Sequence, residues 1–138
     1  MEGTMVNAAI RTFGITVIAV AALGWLGTSA AMTAPVEMGL EFEFKGSAAS
    51  PEMKLSNIPD GTVELKAKMV DLDYPSANHG GGTVQYTGQS VIPRYALKNY
   101  YGPNPPSGVT HRYEITVEAI DAGGNVIGVG KATRKYPN

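Results

Sequence analysis

Hydrophobic and polar positions alternate with a period of two along several stretches of the chain, the pattern of half-buried β-strands. Residues 40–44 (LEFEF) put Leu40, Phe42 and Phe44 on one face and two glutamates on the other, which predicts a first or edge strand. After small, flexible residues, 53–58 place Met53 and Leu55 on one face. Pro59-Asp60-Gly61 predicts a turn, proline fixing φ and glycine free to take the left-handed position. Residues 63–71 (VELKAKMVD) set Val63, Leu65, Ala67 and Met69 against Glu64, Lys66 and Lys68, a strand wet on one side that breaks off at Asp71-Leu72-Asp73. Residues 74–90 read as loop, with Pro75, Asn78, Gly80-Gly81-Gly82 and a short strand at 83–86. Residues 91–93 are briefly apolar, and 94–99 hint at a helical turn. Residues 113–121 align Tyr113, Ile115, Val117 and Ala119 on one face; 122–125 (AGGN) turn, and 126–135 return as the second arm of a hairpin.

This patterning predicts an all-β, mainly antiparallel domain, and 17 glycines and 9 prolines in 138 residues agree with many turns and little helix. Eleven basic and 12 acidic residues leave a net charge of −1, so there is neither a basic stripe for nucleic acid nor a polybasic patch for anionic membrane. With no cysteine, disulfides, thiolate metal sites and a cysteine nucleophile are excluded together. One segment stands apart. Arg11 is followed by an uncharged apolar run, 12–27, and then by the small residues Thr28, Ser29, Ala30 and Ala31, the layout of a secretory signal peptide. The expected division is a signal peptide at 1–31 and a periplasmic or secreted domain at 32–138. The alternative is an uncleaved anchor, which would be the chain's one link to a membrane, although the run is shorter than a span of about 20 residues.

Candidate chemistry lies outside the strand faces. Gly102-Pro103-Asn104-Pro105-Pro106-Ser107-Gly108 is a stiff loop, and it delivers His111, Arg112 and Tyr113 into the start of a strand. Asp71 and Asp73, two residues apart at a strand end, and His79 complete the set. If the two acids and two imidazoles converge, they form a pocket able to hold a phosphate on the histidines and an ammonium on the aspartates. Plainer readings stand beside this one: Asp-x-Asp as turn chemistry, the histidines as solvated side chains, or the four residues as a zinc or manganese site. The glycine triplet is no phosphate loop, since no Gly-Lys-Ser/Thr follows; it suits a close approach of backbone to a neighbour or a ligand. No Gly-x-Ser-x-Gly elbow exists for serine hydrolysis.

Ser50-Pro51-x-Met53-x-Leu55, Ile58-Pro59-Asp60-Gly61-Thr62, Asp71-Leu72-Asp73-Tyr74-Pro75, His79, Tyr101-Gly102-Pro103-Asn104-Pro105-Pro106-Ser107-Gly108 and His111-Arg112-Tyr113 together resemble the phosphatidylethanolamine-binding protein family. The similarity is to its bacterial, Raf kinase inhibitor-like branch, of which this would be a short, divergent member. The resemblance implies an antiparallel β fold with a larger sheet flanked by a smaller one and an anion or phospholipid-headgroup pocket at the sheet's end. It further implies that Asp71 and Asp73 orient the rings of His79 and His111, that Tyr113 donates a hydrogen bond, that Pro105 and Pro106 wall the pocket, and that Tyr74–Pro75 is cis. Glycines stand where an aromatic usually follows the histidine matched by His79, so that wall is thinner or is formed by Tyr86 or Tyr101. Leu72 replaces a usual proline. The expected function is an exported, non-enzymatic binding protein for a phosphate-bearing small molecule or phospholipid headgroup, with no cofactor and room for a protein partner. The alternatives are a metal-assisted hydrolase built on the same Asp/His cluster and a protein-interaction or inhibitor module.

Overall fold

The computed structural model describes residues 33–138, so the expected signal peptide at 1–31 lies outside the described residues. Eight strands run in chain order: β1 (Val36–Phe42), β2 (Met53–Ser56), β3 (Thr62–Asp71), β4 (Gly80–Gln85), β5 (Val91–Ile92), β6 (Asn99–Tyr100), β7 (His111–Asp121) and β8 (Val126–Tyr136). They form one sheet in the order β5-β2-β1-β8-β7-β3-β4-β6. The fold is all-β, as the alternation requires. The larger and smaller parts are continuous, because β1 belongs to both: Val36–Met38 pairs parallel with β8, and the rest of the strand pairs antiparallel with β2, from Gly39↔Ser56 to Phe42↔Met53. First in sequence, β1 is therefore interior and not an edge.

Inward positions build one core. Leu40 and Phe42 of β1, Met53 and Leu55 of β2, Leu65, Ala67 and Met69 of β3, and Tyr113, Ile115, Val117 and Ala119 of β7 are all buried. Phe44 continues the alternation past the end of β1 and packs edge-on against Phe42, Tyr113 and Tyr136 at centroid distances of 5.2, 5.9 and 5.5 Å.

Three local expectations need correction. Val63 is 40% exposed, because a register shift between Thr62 and Glu64 turns it outward. Thr62 takes the inward place, its hydroxyl donating to the Pro59 carbonyl at 2.7 Å. The glycine triplet is strand, not loop: Gly81 pairs with Lys68 and Gly82 with Ala67 on one side, and Gly80 with Tyr100 on the other. A Cβ on Gly80 would collide with the Asn99 carbonyl and one on Gly81 with the Ala67 carbonyl, so the close approach is to neighbouring strands. Residues 94–99 form no helix; the Ala96 amide donates to the Pro93 carbonyl at 3.2 Å in a single turn, and the chain runs on into β6.

Register fixes where chemistry collects. In the β3–β7 ladder Asp71 lies opposite Tyr113, two residues beyond the Met69–Ile115 pair. The end of β3 and the starts of β4 and β7 therefore meet at one end of the sheet, where residues 101–110 cross over them.

Candidate functional site

At that end an open cleft of about 640 Å³ is lined by Asp71, Asp73, His79 and His111, by Tyr74, Ala77 and Asn78, and by Tyr101, Gly102, Asn104 and Pro106. Asp71 is its centre and is only 2% exposed. Its Oδ1 accepts from the amides of Asp73 (2.8 Å) and Tyr74 (3.0 Å), and its Oδ2 accepts from His111 Nδ1 at 2.7 Å. His79 Nε2 lies 3.8 Å from the same Oδ2. Both imidazoles thus converge on one buried carboxylate oxygen.

The His79 tautomer follows from its other nitrogen. Nδ1 stands 2.7 Å from the Gly102 carbonyl, which can only accept, so Nδ1 carries a proton. Nε2 is buried and has no hydrogen-bond partner, an arrangement proteins avoid unless a bound group completes it. Gly102 is what makes this bond possible. Its φ of +77° favours glycine, and a Cβ there would strike the Ser47 carbonyl.

Burial pulls the Asp71 carboxyl upward, but hydrogen bonds from His111 and from the Asp73 and Tyr74 amides outweigh it and hold the group below its ordinary value. Asp71 therefore stays ionised between two imidazoles. Asp73 behaves differently, because its partner is Arg112. The guanidinium donates at 2.8 Å and the Arg112 amide at 2.6 Å, and together they hold the carboxyl down to about 2.

Asp73 therefore orients neither imidazole, contrary to the expectation for the acidic pair; the turn after Asp71 sends the second carboxylate outward to Arg112. Tyr113 is not among the residues that line the cleft. It is fully buried beneath it, edge-on to His79 at 5.2 Å, and its hydroxyl has no hydrogen-bond partner. Burial first, and then the Asp71 charge, push that hydroxyl up to about 12. Of the two expected wall prolines, Pro106 lines the cleft and Pro105 does not, while Pro103 is fully buried behind it. Tyr74–Pro75 is trans, since the Ala77 amide donates to the Tyr74 carbonyl at 3.1 Å and Pro75 takes the second position of an ordinary turn. The cis bond among the described residues is Tyr136–Pro137.

The wall facing the glycines is Tyr101, not Tyr86. The Tyr101 ring lies so close to Gly80 that a Cβ there would be 3.0 Å from it. Sequence reasoning passed over Tyr74, Asn78 and Asn104 as cleft residues, although each is the immediate neighbour of a residue it did select. As to metal, no group of three His, Asp or Glu among the described residues is arranged to hold an ion. A second depression of about 290 Å³ lies among charged side chains of β1, β2 and β8; Arg134 there is paired with Glu43 at 2.9 Å, and no buried polar atom is left unpartnered.

This architecture matches solved structures. A phosphatidylethanolamine-binding-protein homologue from Chlamydia trachomatis superposes with a TM-score of 0.56 at 16% identity, over 77% of this chain and 99% of that one. The chain has a phosphatidylethanolamine-binding-protein fold. Escherichia coli YbcL, a new member of the mammalian family of that name, is also similar, with a TM-score of 0.49 and 20% identity over 64% of this chain and 79% of its own. No protein-family model and no curated protein matches the sequence. On the phosphatidylethanolamine-binding-protein fold of this chain, the cleft sits where β3, β4 and β7 share one end of the sheet.

Proposed function

We propose that the cleft binds a phosphate-bearing small molecule or headgroup, and that the protein is an exported binding protein and not an enzyme. The observation that carries this reading is the His79 ring. It is fixed by the Gly102 carbonyl through Nδ1 and leaves a buried, unpartnered Nε2 beside a second imidazole and one ionised carboxylate. The two imidazoles that line the cleft are groups able to donate hydrogen bonds to an anion. The neutralised Asp73–Arg112 pair adds no opposing charge at the rim. The fold's similarity to a phosphatidylethanolamine-binding-protein homologue supports the headgroup reading.

Calorimetric titration with inorganic phosphate near pH 6 tests it. Saturable binding that is lost in His111→Ala is the expected result; unchanged binding in that variant, or none in the wild type, refutes it. A phosphatase and esterase screen with added divalent metal, expected to show no turnover, separates binding from metal-assisted hydrolysis.

A further inference from the structure

We propose that the edge of β8 over 131–136 is a docking edge, which takes up an extended acidic segment of another protein as an added strand. None of these residues lines the cleft, and the inference is independent of the phosphate reading. The parallel ladder between β1 and β8 ends at the Met38–Gly130 pair. Past it β1 pairs with β2, while β8 runs on to Tyr136 with register partners only in β7. No backbone hydrogen bond from a turn or loop reaches 131–136. A strand turns the N–H and C=O of alternate residues to opposite sides, so every second residue here presents unpaired backbone groups away from β7. The Thr133 carbonyl accepts instead from the side chain of its neighbour Arg134, at 2.9 Å. There is room beside this edge: the depression of about 290 Å³ is lined by Arg134 of β8 and by Glu41, Phe42 and Glu43, where the two strands part.

Charge selects the occupant. Residues 131–136 read KATRKY, three cations and no acid. Arg134 shares the inward face with Tyr113, its guanidinium over the Phe42 ring at 5.5 Å and paired with Glu43. Lys131 and Lys135 stand on the opposite face and are exposed. Lys131 reaches Glu114 only at 3.6 Å, and Lys135 lies opposite Arg112, whose own partner is Asp73. Lys135 has no ion pair among the described residues. The β8 edge of a second copy would set these cations against themselves, which destabilises a strand pair and guards the edge against self-pairing. The same lysines favour a strand with acidic residues on its outer face. On its inner face such a strand meets Phe42 and the depression, which suit apolar side chains. Backbone bonds to β8 would supply affinity and the alternating side chains specificity, as in other cases of strand addition.

Fluorescence anisotropy of the full chain with two labelled peptides, blocked at both ends, tests the inference: one alternates glutamate and valine, the other lysine and valine. The glutamate peptide is expected to bind at least tenfold tighter, and less tightly as salt is raised. Lys131→Glu and Lys135→Glu should each weaken it about threefold to tenfold, and the double variant should prefer the lysine peptide. Strand addition has a signature that charge attraction lacks. In a strand only alternate amides face the partner, so N-methylating either the glutamates or the valines should abolish binding, and N-methylating the other set should leave it. Equal effects of the two methylations overturn the inference, as do equal affinities for the two peptides or no binding of either. Sedimentation that shows a dimer of this chain, displaced by the glutamate peptide, also overturns it, because the edge then belongs to a second copy.

Discussion

Replacing Asp71 with asparagine removes one charge without changing side-chain volume, and the hydrogen-bond pattern says what should follow. Asparagine Oδ1 can still accept from the Asp73 and Tyr74 amides, which fixes the flip of the side chain. Its Nδ2 then faces His111 Nδ1, so the 2.7 Å bond becomes donor against donor unless the ring gives up that proton. A hydrogen bond to a charged group contributes about 1.5–3 kcal/mol, and the site is 2% exposed, so Asp71→Asn should destabilise the fold by about 2 kcal/mol at neutral pH. The pH dependence carries its own sign. The folded carboxyl is held below its ordinary value of 3.8, so its contribution is present above that value and lost as pH falls through the folded value. The gap between wild type and variant should accordingly narrow from pH 5 to pH 3. Urea denaturation at both pH values measures it. A loss under about 0.5 kcal/mol, the scatter of ordinary surface substitutions, or a gap that does not close in acid, refutes the assignment of Asp71 as the ionised centre of the cluster.

Other perturbations test the frame around it. Gly102→Ala forces a side chain into a backbone at φ +77° and against the Ser47 carbonyl, so it should cost about 1–3 kcal/mol and also weaken phosphate binding by displacing the His79 acceptor; denaturation and titration of one sample read both. Leu65→Ala, at a fully buried position, should cost about 2–5 kcal/mol, while Val63→Ala, at a 40% exposed one, should stay within about 0.5 kcal/mol. Equal losses at the two would rule out the bulge at Thr62. Asp73→Asn should leave phosphate affinity close to wild type, because its partner is Arg112 and not an imidazole; a loss matching that of His111→Ala would overturn this division of roles.

Where burial is one-sided, the fold was legible. Leu40, Phe42, Met53, Leu55, Leu65, Ala67, Met69, Ile115 and Val117 all face the core that alternation assigns them. Alternation carries no information about neighbours, which is why the interior place of β1 and its parallel pairing with β8 could not be read. It fails outright at Gly80-Gly81-Gly82, which have no side chains to alternate; their strand is dictated by the carbonyls of Ala67 and Asn99 on either side. It misleads at Val63, where one residue of register shift reverses the inward face without leaving a mark in the pattern.

The site was legible by residue type and only partly by role, and the reason lies in strand parity. Leu65, Ala67 and Met69 point inward along β3, and the next position of the same parity is Asp71. Ile115 and Tyr113 point inward along β7, and the next in that series, toward the strand's start, is His111. Read past the last hydrophobe, both inward series arrive where the core gives way to the cleft, and their polar members meet at 2.7 Å. Tyr113 belongs to the same series one step deeper, and the same alternation buries it with Ile115. Asp73 shares the parity of Asp71 on paper but lies beyond the end of β3, in a turn closed by Asp71 Oδ1 itself, and parity has no meaning there. The two aspartates are equivalent as sequence. One becomes the buried anchor of two imidazoles and the other an exposed partner of Arg112 because a single carboxylate caps the turn that separates them.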